Sequence, residues 1–221
     1  MYFVTGTDTD SGKTLIGSAL LYKAKQQGTT LGVKPIASGC EMTTQGLRNS
    51  DALSLMAQSS LKLPYEQINP FAFAPAIAPH IAAKQAGQSL SVASIERHLR
   101  TLPFHKVDFS LIEGAGGWRL PLGEGAYLSD LAKALELPVI LVVGLKLGAL
   151  NHAVLTQEAL LADGLEIAGW VANRVDPKMS VPEENLQSLH EMMSSPCLGV
   201  VPYLDSPDVA QVASYLDING L

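Results

Sequence analysis

Cysteine is scarce in this sequence. Of the 221 residues only two are cysteines, Cys40 and Cys197, and neither belongs to a CxxC pair or to a Cys/His spacing. Such usage excludes a disulfide framework and gives no support for a structural zinc site. We expect two reduced thiols without a joint role.

Positive charge and long apolar runs are also scarce. The 15 Lys and Arg residues are scattered against 21 Asp and Glu, giving a net charge of −6, which argues against a nucleic-acid partner. The longest apolar run, Pro138 to Val143, is far shorter than a membrane span, and "YFVTG" near the start lacks the pattern of a signal peptide. We expect a cytoplasmic protein with no membrane partner.

Short apolar runs alternate with longer stretches of helical spacing. Hydrophobic residues make up 47% of the chain, enough for a substantial core, and we expect residues 1–221 to form a single domain. Several runs are apolar at consecutive positions, as in strands covered on both faces. The sequence therefore predicts an α/β fold with a mostly parallel sheet and helices on both faces. The predicted strands are Met1–Thr5, Thr30–Pro35, Val107–Glu113, Pro138–Gly144, Ile167–Asn173 and Cys197–Val201; the predicted helices are Lys13–Gln27, Ser91–Leu102, Ser129–Leu135, Leu150–Ala162 and Pro182–Met193.

Residues Cys40 to Gln88 interrupt this rhythm. The segment contains four prolines and has helical spacing only near Ser50 to Gln58. We interpret it as an insertion, irregular after that one helix, that could form a lid on the substrate side.

The segment "GTDTDSGKT", Gly6 to Thr14, resembles a phosphate-binding loop with one extra residue. Five residues separate Gly6 from Gly12, where the usual loop has four, and two of the five are aspartates. An apolar strand precedes the segment and a helix follows at Lys13, which is the setting that phosphate binding requires. The alternative is an ordinary strand-turn-helix in which Lys13 is solvated. The loop leaves open what its carboxylates hold.

Two other strand ends carry charges toward the same edge of the sheet. Glu113 ends the strand of "LIEGAGG" before a predicted glycine-rich turn, and Lys34 lies at a strand end in "GVKPIASG". Ligands of open α/β sheets bind at this edge, and a second lysine can stabilise a phosphoryl group in transfer. The alternative for both residues is a solvated charge at a strand end.

The segment "KLGALNHA" predicts a third feature, a helix start near Leu150 after Gly148. Free backbone N–H groups and the helix dipole would attract a carboxylate there. The alternative is an ordinary helix start with Asn151 as the capping residue.

Taken together, "VTGTDTDSGKT", "GVKPIASG", "RNSDAL", "EGAGGW", "PVILVVGLKLGALNHA" and "GWVANRV" resemble the dethiobiotin synthetase family. The resemblance implies a P-loop fold, a homodimer and an ATP-dependent cyclo-ligase of biotin synthesis. Such an enzyme closes a cyclic urea on 7,8-diaminopelargonic acid, using CO₂, ATP and Mg²⁺. The path would run through a carbamate and a carbamic-phosphoric anhydride, without a covalent enzyme intermediate.

The resemblance also implies roles for individual residues. The residues close to the reacting groups would be Thr9, Asp10, Lys13 and Lys34. The Mg²⁺ ligands would be Thr14, Asp51 and Glu113. Without the resemblance, Asp51 would be an ordinary carboxylate at a helix start. The nucleotide would contact Asp10, Ser11, Gly12, Lys13, Thr14, Leu15, Asp51, Glu113, Gly114, Ala115, Gly116, Asn173, Arg174, Pro202, Tyr203, Leu204 and Asp208. The substrate would contact Thr9, Lys34, Ser38 and, from the neighbouring subunit, Gly148, Ala149, Leu150 and Asn151.

Some residues depart from these roles or have none. Ser11 stands where the family usually has a small apolar residue. His80 is expected to be a pocket wall or a satisfied polar residue, and His105 and His190 have no expected role. With the family's roles, Thr9 and Asp10 could face a diamine, whose positive charge a carboxylate favours.

Two further functions remain possible from the sequence. A switch of the partitioning-ATPase type shares the strand order and the loop but has a signature lysine five residues before the P-loop lysine, where this chain has Asp8. A nonenzymatic nucleotide-binding module would leave Lys34 and the acidic loop unexplained.

Overall fold

The structure, a computed structural model, describes all residues from 1 to 221. Its elements follow one another in the order β1 (Tyr2–Gly6), α1 (Lys13–Ala24), β2 (Thr30–Val33), β3 (Ile36–Ala37), β4 (Glu41–Thr43), β5 (Gly46–Arg48), α2 (Ser50–Gln58), α3 (Tyr65–Ile68), β6 (Phe71–Ala72), α4 (Pro79–Gln85), α5 (Val92–Leu99), a 3₁₀ turn (Phe104–Lys106), β7 (Phe109–Gly117), β8 (Pro121–Gly123), β9 (Ala126–Tyr127), α6 (Ser129–Ala134), β10 (Val139–Leu145), α7 (Ala149–Ala162), β11 (Ile167–Arg174), α8 (Pro182–Met192), β12 (Cys197–Val201) and α9 (Val209–Ser214). None of the helices combines the length and apolar character needed to cross a membrane.

The six predicted strands form one parallel sheet in the order β12-β11-β10-β1-β7-β2. β1 lies inside the sheet, with Tyr2 opposite Leu111 of β7 and Phe3 opposite Val139 of β10. Every residue of β10 is buried, as its unbroken apolar run predicts. The predicted parallel sheet is confirmed, and its topology brings the strand ends after β1, β2 and β7 to one edge.

Helices cover both faces of the sheet, as predicted. Alternate residues of the strands point into two separate cores. One core packs α1 and α9 against side chains such as Val4 and Ile140. The other packs α5, α6, α7 and α8 against side chains such as Phe3 and Leu141.

The segment from Cys40 to Gln88 is more ordered than predicted. α2 spans the predicted Ser50–Gln58, but the expectation of irregular chain after it is wrong, because α3, β6 and α4 follow. Two of the prolines that suggested irregular chain stand where proline favours a helix: Pro64 precedes α3 and Pro79 opens α4. The hairpin β4–β5 was not predicted either.

Other differences from the prediction lie near the strand ends. The glycines after Glu113 do not form a turn, because β7 continues to Gly117 and shifts register against β1 through a bulge. Gly114 permits a close approach instead, since a Cβ there would lie 3.1 Å from the Phe3 ring. α7 begins at Ala149, one residue before the predicted start, and the short helix α9 was missed.

Candidate active site

The loop between β1 and α1 is fixed by a glycine and by a neighbouring strand. Gly12 immediately precedes α1 with φ 86°, and a Cβ there would lie 2.1 Å from Asn173 Nδ2. That amide, at the end of β11, donates a 3.0 Å hydrogen bond to the carbonyl of Ser11. The loop therefore needs glycine at position 12 both for its left-handed backbone and for this contact.

Lys13 is a buried ammonium at the start of α1. Its Nζ donates to the backbone carbonyls of Asp8, at 2.7 Å, and Thr9, at 3.1 Å. Burial, followed by the charge of Lys34, lowers the pKa of Lys13 to about 8. No side chain caps the start of α1, so its backbone N–H groups are free to bind an anion.

The second lysine, Lys34, lies between two carboxylates. Its Nζ is 2.6 Å from Glu113 Oε1 and 3.0 Å from Asp51 Oδ2. Burial alone would lower the pKa of Lys34, but Glu113 and Asp51 outweigh it and raise that pKa above its usual value. Lys34 is therefore charged throughout the physiological range, although it is only 4% exposed.

Glu113 joins this group to the loop. Thr14 in α1 donates a 2.8 Å hydrogen bond to Glu113 Oε1, while Oε2 is buried without a hydrogen-bond partner. Thr14, Glu113 and Asp51 offer only oxygen atoms as metal ligands. No group of three or more His, Cys, Asp or Glu side chains is arranged to hold a metal ion, so a metal bound here would need further ligands. The set fits Mg²⁺, which takes one or two carboxylates together with water and phosphate oxygens.

These groups line a cavity of about 890 Å³ beside the loop. It brings together twelve predicted residues: Thr9, Asp10, Gly12, Lys13, Thr14, Leu15, Lys34, Ser38, Asp51, Glu113, Ala115 and Gly116. The remaining lining was not predicted and comprises Ala37, Asn49, Ala76, Ile77, Ala78, Pro79 and Leu120. No motif marks the apolar run from 76 to 79, whereas Asn49 could have been found as the residue before α2.

Two predicted nucleotide contacts, Ser11 in the loop and Gly114 in β7, do not line this cavity. Ser11 is fully buried beneath the loop and donates from Oγ to the Asp8 carbonyl at 3.2 Å. Gly114 lies under Phe3, within the sheet. Both residues support the shape of the cavity wall and do not face the cavity itself.

A second cavity, of about 230 Å³, adjoins the loop on the β11–β12 side. It shares Gly12 and Leu15 with the first and contains all but one of the residues predicted for the nucleoside, namely Asn173, Arg174, Pro202, Tyr203 and Leu204. Asp208 lies outside it and caps α9 by accepting a hydrogen bond from the Gln211 N–H at 3.2 Å. Val175, Val201 and Pro207 complete the lining and were not predicted.

The segment Gly148 to Asn151 lies apart from both cavities of its own chain. Gly148, with φ 91°, precedes α7, and no side chain caps that helix, so the alternative in which Asn151 is the capping residue is wrong. Asp8 of the phosphate-binding loop reaches this region, because its Oδ2 lies 2.8 Å from Lys146 Nζ. One loop aspartate thus pairs with a lysine, while Asp10 is exposed at the main cavity.

Solved structures of the same fold include two kinds of nucleotide-binding protein. The cell division ATPase MinD of Pyrococcus furiosus aligns with 96% of this chain and 94% of its own, at a TM-score of 0.53 and 14% identity. The signal recognition particle receptor FtsY of Elizabethkingia anophelis, in complex with GDP, aligns with 99% of this chain and 60% of its own, at a TM-score of 0.53 and 13% identity. At these identities the likeness concerns the fold alone.

Fold and loop together define a nucleotide-dependent protein of the P-loop class. A family model described as an AAA domain matches residues 1–210, and the ATP-dependent dethiobiotin synthetase BioD of Pseudomonas aeruginosa (strain UCBPP-PA14) is 56% identical over 221 residues, 100% of this chain and 97% of the relative. The relative of the same name from Chromohalobacter salexigens is 53% identical, covering 99% of this chain and 98% of its own. This chain belongs to the dethiobiotin synthetase family, the ATP-dependent carbon-nitrogen cyclo-ligases of biotin biosynthesis.

Proposed function

We propose that this enzyme closes the ureido ring of dethiobiotin from 7,8-diaminopelargonic acid and CO₂, using ATP and Mg²⁺. The observation that carries the proposal is the convergence of Lys13, Lys34, Asp51 and Glu113 on one cavity beside a phosphate-binding loop. A site that only bound nucleotide would not require a second buried lysine lining the same cavity as Lys13. Such a lysine suits a reaction in which phosphate passes to an acceptor.

The proposed chemistry has three steps. One amine of the substrate attacks CO₂ and releases a proton, giving a carbamate. A carbamate oxygen then attacks the γ-phosphorus of ATP, the bond to the β–γ bridging oxygen breaks, and ADP leaves. The second amine attacks the carbamate carbon, phosphate leaves with the bonding electrons, and a proton is lost as the ring closes.

In this scheme the enzyme positions the reactants and neutralises charge. Lys13 would leave its two loop carbonyls for the phosphate oxygens, and Lys34 would face the oxygens between the γ-phosphorus and the carbamate. Ser38, which also lines the cavity, would contact the carbamate. Thr9 and Asp10, exposed at the cavity mouth, would face the diamine, which gives the long acidic loop its purpose.

Thr14, Asp51 and Glu113 would hold Mg²⁺. The ion supplies charge stabilisation to the phosphate oxygens when it is bound. Glu113 Oε2 has no hydrogen-bond partner and is free for this role. Lys34 would then remain close to the carboxylates, keeping the negative charge of the set balanced.

The adenosine part of ATP would occupy the second cavity. Asn173 and Arg174 lie at the end of β11, and Pro202 to Leu204 follow β12, so the ends of these two neighbouring strands both line the cavity. Gly12 and Leu15 belong to both cavities, which allows one nucleotide to extend from one to the other.

We further propose a cytoplasmic homodimer in which Gly148, Ala149, Leu150 and Asn151 bind the substrate carboxylate at the neighbouring subunit's site. The start of α7 is uncapped and lies outside the cavities of its own chain. Its N–H groups suit a carboxylate at the far end of the substrate. A fixed anchor there would select the length of the substrate chain.

Phosphate release tests the proposed reaction. With bicarbonate and diamine both present, the enzyme should release phosphate continuously, and omission of either should stop it. Release that is independent of the diamine would contradict the proposal and favour a switch ATPase. Identification of dethiobiotin by mass spectrometry completes the test.

A further inference from the structure

Two groups of the main cavity are held by one part of the chain, the segment between β5 and β6. Lys34 follows β2, and its backbone carbonyl accepts a 2.7 Å hydrogen bond from Asn69 Nδ2. Asp51 lies in the first turn of α2, which begins after Asn49. The separation between Lys34 and Asp51 therefore depends on how Asn69 and Asn49 are held relative to each other.

A single hydroxyl joins them. Tyr65 Oη accepts from the backbone N–H of Asn49 at 2.7 Å and donates to Asn69 Oδ1 at 2.8 Å. Asn49 in turn caps α2 by accepting from the Ala52 N–H at 3.2 Å. Tyr65, Asn69 and Asn49 are 7%, 2% and 6% exposed, so water does not substitute for these bonds.

The direction of the hydrogen bonds is fixed at both ends. The Asn49 N–H can only donate and the Lys34 carbonyl can only accept, so Asn69 must turn its oxygen toward Tyr65. The tyrosine must then be protonated, and burial raises its pKa accordingly. Arg48 packs over the Tyr65 ring, 4.1 Å from its centroid, and pairs with Glu66 at 3.1 Å, which holds the ring in place.

We propose that Tyr65 is a positioning residue whose hydroxyl sets the distance between Lys34 and Asp51, and through it the contribution of Mg²⁺ to nucleotide binding. The inference rests on the Mg²⁺ ligands of the proposed function. It gives the inserted segment a role as a support for the metal side of the site. If the hydroxyl served stability alone, its removal would lower the melting temperature without changing how Mg²⁺ and nucleotide affect each other.

The test compares Tyr65→Phe with Tyr22→Phe, the same change at a half-buried tyrosine outside this hydrogen-bond network. Calorimetric titration with a non-hydrolysable ATP analogue, in Mg²⁺ and in EDTA, gives the factor by which Mg²⁺ tightens binding. Tyr65→Phe should change the affinity in EDTA much less than the affinity in Mg²⁺, because the network touches Lys34 and the start of α2 but not the phosphate-binding loop. The Mg²⁺ factor should fall about tenfold, as for other residues that orient metal ligands.

Asn69→Ala provides a second route, since it removes the bond to Lys34 while leaving the tyrosine in place. The proposal would be overturned if Mg²⁺ tightened nucleotide binding by the same factor in Tyr65→Phe, Asn69→Ala and Tyr22→Phe, whatever their melting temperatures. Equal affinity of the wild-type protein for the analogue in Mg²⁺ and in EDTA would overturn it too. If Mg²⁺ tightens nucleotide binding as expected but phosphate release does not depend on the diamine, only the proposed reaction is contradicted.

Discussion

The low pKa of Lys13 predicts that nucleotide binding weakens in mild alkali. In the free enzyme, burial and the nearby charge of Lys34 lower the pKa of Lys13 to about 8. Phosphate oxygens favour the charged ammonium, so a bound nucleotide raises this pKa. As the pH rises through 8, Lys13 of the free enzyme loses its proton and binding must take one up. Lys34 stays charged over this range because Glu113 and Asp51 raise its pKa.

The size of the effect follows from the fraction of Lys13 that is charged. With a pKa of about 8, roughly three quarters of the free enzyme is protonated at pH 7.5 and roughly one thirtieth at pH 9.5. If the bound lysine keeps its proton, affinity falls about 25-fold over this interval, or about 2 kcal/mol. The interval lies above the titration of phosphate monoesters near pH 6, so the ligand contributes little.

Calorimetry with ADP at several pH values measures this dependence. Repeating each titration in buffers of different ionisation enthalpy gives the number of protons taken up, which should approach one near pH 9. Lys13→Gln should bind weakly at every pH and take up no proton, while Lys25→Gln, at an exposed lysine beyond the end of the same helix, should behave as wild type. Constant wild-type affinity from pH 7.5 to 9.5 would refute the assignment of a lowered pKa to a phosphate-binding lysine.

Two further predictions concern the same site. Glu113→Gln and Asp51→Asn should each raise the Mg²⁺ concentration for half-maximal turnover at least about tenfold, because each loses an anionic oxygen; an unchanged titration in both would remove them from the metal site. Gly12→Ala should lower the melting temperature and abolish nucleotide binding, because its Cβ would displace Asn173. Gly123→Ala is the control, because Gly123 also has a positive φ, 95°, but no atom lies within 4 Å of the new Cβ. It should cost only about 1–2 kcal/mol of unfolding free energy. Equal losses of unfolding free energy in Gly12→Ala and Gly123→Ala would show that the Asn173 contact is unimportant.

Mixing two inactive variants tests the shared site. The Asn151→Asp variant should be inactive because its added negative charge would repel the substrate carboxylate. In a mixed dimer of Lys13→Gln and Asn151→Asp subunits, one site would combine an intact loop with an intact anchor. Random reassociation should restore roughly a quarter of the sites, since about half the dimers are mixed and each has one good site of two. If loop and anchor belong to the same chain, every site carries a lesion, and mixing restores nothing.

The strands were predictable because their local pattern and their burial agree. β10 is apolar at consecutive positions and is covered on both faces, so tertiary structure added nothing that its sequence did not indicate. Prolines were misleading between 40 and 88, because Pro64 and Pro79 favour the helix starts that they occupy. α9 escaped because its N-terminal cap, Asp208, was assigned to the nucleoside instead.

Within the site, convergence at one sheet edge was predictable for Lys13, Lys34 and Glu113, because parallel strands end together. The place of Asp51 followed only from the family resemblance, since a carboxylate at a helix start is common. Tyr65 gave no signal at all. Its importance arises from hydrogen bonds to residues 16 positions before it and 4 after it, which no local pattern encodes.

The inner position of β1 has a consequence for biosynthesis. The phosphate-binding loop follows β1, which is synthesised before either of its sheet neighbours, because β1 pairs only with residues from 111 and from 139 onward along the chain. At 5–20 residues per second, roughly 7 to 27 s pass between synthesis of Phe3 and of its partner Val139. Until β7 has been made β1 has neither neighbour, and until β10 has been made it has only one, so a nascent chain stalled before β10 leaves one side of this apolar strand unpaired.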